Sequence, residues 1–549
     1  MQRARPISIR TTTCLILLGW GQAIAAERDA VVKDQWIAIT APALKPVIAP
    51  LCEHRRREGL HVVVIDASTL AGANESREQW AEAMRDTVQQ RCRAWKGRSY
   101  VLIAGAIAEE VGPADGCRLP ALAGTVSRMT GQPTDNGYGC LDDTLMPTVA
   151  VGRFPARTPE EARDMVAKTL AWEADLRPGR WKRDLTLLAG APSFNPAVDQ
   201  MVEKLALSGF DRLDPGWSVR AIYRNPNSPF CLPDNDLRDR ATAYLEARQA
   251  LTVYLGHSGA DGFWYRWSMI DDQMGWVPLF GRDEWSQIEI KRVAGVFATF
   301  GCHGTQLSGE EGEGYGVYAM RNRHGPVAVI GSHGACDAAM SLLFSEGLLR
   351  KLPALSDNPR LGEVWLAIKE HLATGWINPL VYYVLDRVDG DPDTPQAVRR
   401  REHLEMFLLL GDPAIRFPSL PAKMTLRIEG AASPEAVLQV TGRVPEELVG
   451  ATGRLTLERP ITSTPNTLQP VPSNTDNAAY DRVLKANHEA SNRFDLVEAD
   501  VRVEGREFAA ELELPPTLPW PKLIVRVYLA TTRSEGMAVR IVSSESQPP

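Results

Sequence analysis

Two residues of this chain carry the side chains of covalent hydrolysis at the ends of apolar runs. LTVYLG leads into His257, and VFATFG leads into Cys302, 45 residues later. A thiolate attacks a carbonyl carbon, and a neighbouring imidazolium favours the thiolate and later protonates the departing amine. Gly256, Gly259, Gly301 and Gly304 keep side chains away from the backbone around both residues, so the amides of Ser258 and Cys302 are candidate donors to a developing oxyanion. A single cysteine beside a glycine is more often structural than catalytic, and spacing alone leaves both readings standing.

The elements that must position these groups are legible as short apolar runs. WIAIT from Trp36, HVVVIDA from His61, YVLIAGA from Tyr100, LTLLAGA from Leu185, LTVYLGH from Leu251, GVFATFGC from Gly295 and VAVIGSH from Val327 lack the polar alternation of a half-exposed sheet. Helical patterns separate most of them, which predicts an α/β fold with a parallel sheet and helices on both faces. In such sheets ligands bind beyond the carboxyl ends of the strands, where His257 and Cys302 would share one crevice. Thr158, Pro159 and Glu161 mark a capped helix start, with Ala162, Met165, Val166, Thr169 and Leu170 on its buried side. A second helix is predicted from Leu361 to about His371. After Pro418 alternating strands follow one another (MTLRIEG, EAVLQVTG, GRLTLER, FAAELELP, KLIVRVYLA, AVRIVSS), an antiparallel β-sandwich pattern. The polar stretch from Thr462 to Asn477 and the helical DRVLKANHEASNRF form an excursion within it.

Residues 1–26 read as an export signal, with Arg3, Arg5 and Arg10 before an apolar stretch and Ala23-Ile24-Ala25 for cleavage. The expected location is periplasmic or extracellular, with no membrane anchor after cleavage. The formal net charge of -7 and the scattered arginines argue against a nucleic-acid partner. Loss of Cys14 with the signal leaves seven cysteines, an odd number. That fits one reactive thiol beside up to three disulfides, with Cys52–Cys92 and Cys117–Cys140 suggested by spacing, or else a set of buried small apolar residues. Cys336 is the reserve nucleophile, or a partner for Cys231.

The run of apolar strand, Gly-His, apolar strand and Cys resembles caspases, legumains and gingipains, and three further segments are similar to the gingipain branch. They are PTDNGYGCLDDTLMPTVAVGRFPARTPEEA (Pro133–Ala162), LGEVWLAIK (Leu361–Lys369) and LLLGDPAIRF (Leu408–Phe417). The resemblance covers about 30–418 and implies a caspase-like, gingipain-type region. Its parts would be an N-terminal α/β subdomain over 30–180 and a catalytic subdomain over 181–418, followed by an immunoglobulin-like β-sandwich over 420–549. It implies a cysteine endopeptidase acting on protein or peptide substrates, with Cys302 as nucleophile and His257 as acid and base.

Two departures from the family pattern stand out. Ser258 follows the histidine where Gly is usual, and Ala191-Pro192-Ser193-Phe194 stands where some gingipains carry a carboxylate beside the histidine. Asp199 resembles the acid that receives a basic P1 side chain in arginine-specific gingipains; the competing reading is a surface aspartate in a helix's first turn. No cofactor is expected to be required. His303, His324, His333 and Cys336 lack metal-ligand spacing, so no metal site is assigned. The glutamate-rich loop Gly309–Gly316 would repel phosphate and would border the cleft, with contact to substrate or to a structural calcium as its alternatives to a plain loop. Asp142 and Asp143 read as a turn. The rival from another class is a catalytically inactive gingipain-like module binding exported proteins or peptides.

Overall fold

The computed structural model describes residues 32–544 apart from 71–75, 108–115, 192, 212–215, 271–272, 291–293, 353–358, 391–392 and 473–476. The export-signal reading of residues 1–26 lies outside the described residues. Among those residues no helix is long and apolar enough to cross a membrane.

Ten strands form one sheet. In chain order they are β1 (Gln35–Thr40), β2 (His61–Asp66), β3 (Ser99–Ala104), β4 (Ala150–Phe154), β5 (Asp184–Ala189), β6 (Ser218–Tyr223), β7 (Leu251–Leu255), β8 (Ala294–Thr299), β9 (Pro326–Ser332) and β10 (Phe407–Leu410). Their spatial order is β6-β5-β7-β8-β9-β10-β4-β3-β1-β2. All pairings are parallel except that of β9 with β10. The strands from β10 to β2 therefore run opposite to those from β6 to β9, and the carboxyl ends of the two halves lie on opposite edges. The sheet is continuous across residue 180, because the early strand β4 pairs with the late strand β10 through Arg153 and Leu410.

Continuous apolar runs follow from burial on both faces. Leu187, Val253, Val296 and Ala298 enter one core, whereas Leu188, Tyr254 and Phe297 enter the other. Alternate residues of one strand thus serve opposite faces. The edge strand β6 was not among the apolar runs, because SVRAIY interleaves half-buried Ser218 and Arg220 with buried Val219 and Ala221.

The three segments behind the gingipain resemblance meet where the two halves of the sheet join. Asp135 takes both bonds of a bidentate pair from buried Arg153, each at 2.7 Å. Asp412 accepts from Trp36 Nε1 at 3.0 Å and from Arg55 Nε and Nη2 at 3.0 and 2.8 Å. Lys369 Nζ, fully buried, donates to Asn136 Oδ1 at 3.0 Å and to the Phe407 carbonyl at 2.9 Å. Buried charges survive only when paired and hydrogen-bonded, as Asp135–Arg153 and Asp412–Arg55 are, and Lys369, whose pKa burial lowers to about 7, joins its helix to the first segment through Asn136.

Thr158 caps the helix Pro159–Ala174 by accepting from Glu161 N, while Glu161 Oε2 accepts from Arg157 N, one residue earlier than the usual reciprocal bond. The predicted 361–371 helix runs Leu361–Thr374. Asp142 forms the expected turn, its Oδ1 accepting from Thr144 N at 3.0 Å.

The C-terminal region is a sandwich of a five-stranded and a three-stranded sheet around Leu438, Leu455, Phe508, Leu523 and Val527. Its strands are antiparallel but for the short parallel pairing at Ala422 and Lys423. The excursion holds the helix Asn477–Asn492, which packs on β6. Asn492 accepts from Ala221 N at 2.7 Å and donates to Ala221 O at 3.0 Å, so an amide side chain occupies part of the open strand edge.

Candidate active site

The ladder between β7 and β8 pairs Leu251 with Val296 and Tyr254 with Thr299. Phe300 N continues it to Tyr254 O at 2.9 Å. His257 lies three residues beyond Tyr254, and Cys302 lies three beyond Thr299, so the register carries both to the same level past the sheet edge. Both line one cavity of about 340 Å³, together with Cys336 and Asp389.

Close packing holds the two turns. A Cβ on Gly256 (φ +144°) would come within 2.9 Å of Gly190 backbone atoms and the Tyr254 hydroxyl. A Cβ on Gly301 would lie 2.1 Å from Ser258 Oγ. Glycine is required at both places for want of room. Ser258, the departure from the family pattern, donates its hydroxyl to Cys302 O at 2.7 Å and ties the histidine turn to the cysteine turn. Tyr254 donates to His257 O at 2.6 Å, and the Phe194 ring stands edge-on to the imidazole with centroids 5.9 Å apart. Phe194 thus packs on His257 from the loop where a carboxylate was sought.

A carboxylate does reach this centre, from another element. Asp389, the last residue of the helix Pro379–Asp389, lines the cavity and accepts from Ala338 N through Oδ2 at 3.1 Å. Burial raises its pKa, and the charge of His257 works against that rise. No sequence signal marks it, because its separation from His257 matches no motif.

The electrostatics single out Cys302. Burial pushes the thiols of Cys52 and Cys92 up, that of Cys140 to about 11 and that of Cys231 to about 12. The Cys302 thiol is instead lowered to about 6. The first cause is hydrogen bonding from the Cys336 thiol, with the two sulfurs 3.9 Å apart; the Cys336 amide, 3.4 Å from Cys302 Sγ, and the charge of His303 add to it, against burial and Asp389. Cys336 is raised well above its ordinary value by donating to Cys302 and by burial, and Ser341 Oγ lies 3.2 Å from its sulfur. The reserve nucleophile therefore serves as a donor behind Cys302.

None of the seven cysteines from Cys52 to Cys336 is in a disulfide, so the suggested Cys52–Cys92, Cys117–Cys140 and Cys231–Cys336 bridges are not formed. Six of the seven are buried, and apart from Cys336, which donates to Cys302, they pack as small residues.

Asp199 sits in the first turn of the helix Pro196–Asp211 and is not among the residues lining the cavity; its Oδ1 accepts from Phe194 N at 3.0 Å. It fastens the loop that carries Phe194. His333 is a core residue, its Nδ1 accepting from Leu307 N at 3.2 Å and its pKa lowered by burial to about 4. In the glutamate-rich loop, Glu313 pairs with Arg321, and Gln306 donates to Gly312 O at 2.7 Å. Among the described residues, the one cluster with metal-ligand types is His54, Glu58 and Glu173. Arg55 bonds both of its carboxylates.

The family model for peptidase family C25 matches residues 33–418, a span that includes both turns and all three joint-forming segments. The chain belongs to peptidase family C25. A Lys-gingipain and Lys-gingipain HG66, both of Porphyromonas gingivalis, are each 28% identical over 111 residues, 20% of this chain. The matched part is 6% of those relatives' length. The solved structure of the Arg-specific cysteine proteinase gingipain R is 14% identical, with a TM-score of 0.50, covering 93% of this chain and 98% of that one. A structure described as a protease has a TM-score of 0.52 at 13% identity, covering 93% and 97%. The two structural likenesses establish a fold shared with those proteins over 93% of this chain.

Proposed function

We propose that this C25 member is an exported cysteine endopeptidase that cleaves protein or peptide substrates through Cys302 and His257. The observation that supports this most is the β7–β8 register, which delivers imidazole and a lowered-pKa thiol to one cavity. In the proposed reaction the Cys302 thiolate attacks the carbonyl carbon, and the carbonyl oxygen takes up the negative charge beside the amides of Cys302 and Ser258. His257 protonates the leaving amine as the C–N bond breaks, leaving a thioester on Cys302. It then takes a proton from water, whose oxygen attacks the thioester and releases the acid product and the thiol. Asp389 stabilises the imidazolium and acts as a positioning residue, the part an orienting acid plays in catalytic triads. Asp199, off the cavity wall, lends no support to a basic P1 preference.

The test is hydrolysis of a positional peptide library by the mature protein under reducing conditions, beside Cys302→Ala and Cys336→Ala. Activity lost with Cys302→Ala and retained with Cys336→Ala is the expected pattern. A wild type that cleaves nothing and matches Cys302→Ala would shift the assignment to a peptide-binding module. Export is checked by the N-terminus of the protein recovered outside the cytoplasm, expected near Ala26.

A further inference from the structure

The cavity does not end at Cys302. It runs from Gly256, His257, Gly301 and Cys302 between three helices. Val202 and Leu205 come from Pro196–Asp211, Leu342 and Leu349 from Ala338–Lys351, and Val381 and Leu385 from Pro379–Asp389. The carbon attacked by Sγ must sit at bonding distance from it, so the side chain nearest this opening belongs to the residue that supplies the carbonyl, P1.

We infer that this cavity is the P1 pocket and that it selects a large apolar side chain, aromatic or aliphatic; the assignment rests on Cys302 being the nucleophile. The volume of about 340 Å³ is ample for this, since an apolar cavity of about 150 Å³ holds a benzene ring. Charge on the wall does not favour a basic residue. Glu346 accepts from Arg350 Nε at 2.8 Å and lies 3.7 Å from His371 Nε2, so the Arg350 guanidinium already faces its carboxylate. Asp389 stands at the catalytic end, beside His257. A lysine or arginine entering this space would lose its hydration with no uncommitted acid to meet it, whereas an apolar side chain gains by leaving water. Apolar surface also continues outside. Trp376, which lines the cavity, is 72% exposed, and Leu380 and Tyr383 on the adjoining helix are 70% and 56% exposed.

The pocket is tested apart from the chemistry by binding. Product-type peptides of one sequence ending in Phe, Leu, Ala, Arg, Lys or Glu are titrated into the Cys302→Ala protein, and the same P1 series is offered to the wild type for hydrolysis. Phe and Leu ends are expected to bind at least tenfold more tightly than Arg and Lys ends. Ala206→Phe, which fills the pocket, removes that advantage while Ala-ended peptides still bind, and Glu346→Gln leaves the order unchanged. Tightest binding of Arg or Lys ends, abolished by Glu346→Gln, overturns the inference in favour of a basic pocket read by Glu346. Binding that ignores the terminal side chain, or no binding of any peptide, also overturns it. Apolar preference in binding with no hydrolysis by the wild type leaves the pocket standing and removes the peptidase.

Discussion

Replacing Cys336 tests the electrostatics of the site directly. The Cys302 sulfur faces two donors from that residue, its thiol with sulfurs 3.9 Å apart and its amide at 3.4 Å. Cys336→Ala removes the first and leaves the second. Hydrogen bonding to the charged form lowers an acid's pKa, so losing a donor must raise it. A charge-assisted bond contributes about 1.5–3 kcal/mol and one pKa unit corresponds to about 1.4 kcal/mol, so a rise of at least about one unit is expected. Starting from about 6, a rise to about 7 takes the thiolate fraction at pH 6 from about one half to about one tenth, a loss of roughly fivefold. The acid limb of kcat/KM and the rate of iodoacetamide labelling at Cys302, followed by peptide mass, both move to higher pH. Cys336→Ser keeps a donor and stays near the wild-type midpoint, which separates hydrogen bonding from packing. A midpoint that is unchanged or lower in Cys336→Ala would refute the reasoning.

Three other substitutions probe the positioning of the site and the frame beneath it. Asp389→Asn keeps the shape of the helix end and removes the charge beside His257, so kcat should fall by roughly tenfold or more with little change in KM, and the thermal midpoint should hold; an unaltered kcat and pH profile would exclude Asp389 from the centre. Gly301→Ala places a Cβ where the Ser258 hydroxyl and the Gly256 carbonyl lie, at 2.1 and 2.7 Å, and should abolish Cys302 labelling by displacing the cysteine turn. Asp135→Asn leaves the buried Arg153 guanidinium without its counter-charge, and urea unfolding should show a loss of about 3–5 kcal/mol.

Much of the scaffold was legible along the chain because it depends on local pattern. Strands buried on both faces read as apolar runs, the Thr158 cap reads as a helix start, and alternation after Pro418 reads as a sandwich. The weaker elements escaped for physical reasons: β6 carries edge-strand polarity, and in the strand Asp495–Arg502 the adjacent half-buried Leu496 and Val497 interrupt the alternation. Cysteine parity suggested disulfides, but whether two thiols can bond depends on the helices and turns that carry them, and five of the seven are buried apart from the Cys302–Cys336 pair.

For the site, sequence by itself marked the candidate groups: a histidine and a cysteine at the ends of two strands, freed by glycines. Tertiary structure alone decided what acts on them. The register of β7 against β8 sets His257 level with Cys302, and β9 turns Cys336 under the sulfur. A helix far along the chain brings Asp389 to the imidazole, while Asp199, close in sequence to the expected place, is held by the Phe194 amide. Hydrogen bonds, burial and Coulomb interactions act over a few ångströms whatever the distance along the chain, so the tuning of a thiol and the lining of a pocket exist only once the fold has closed.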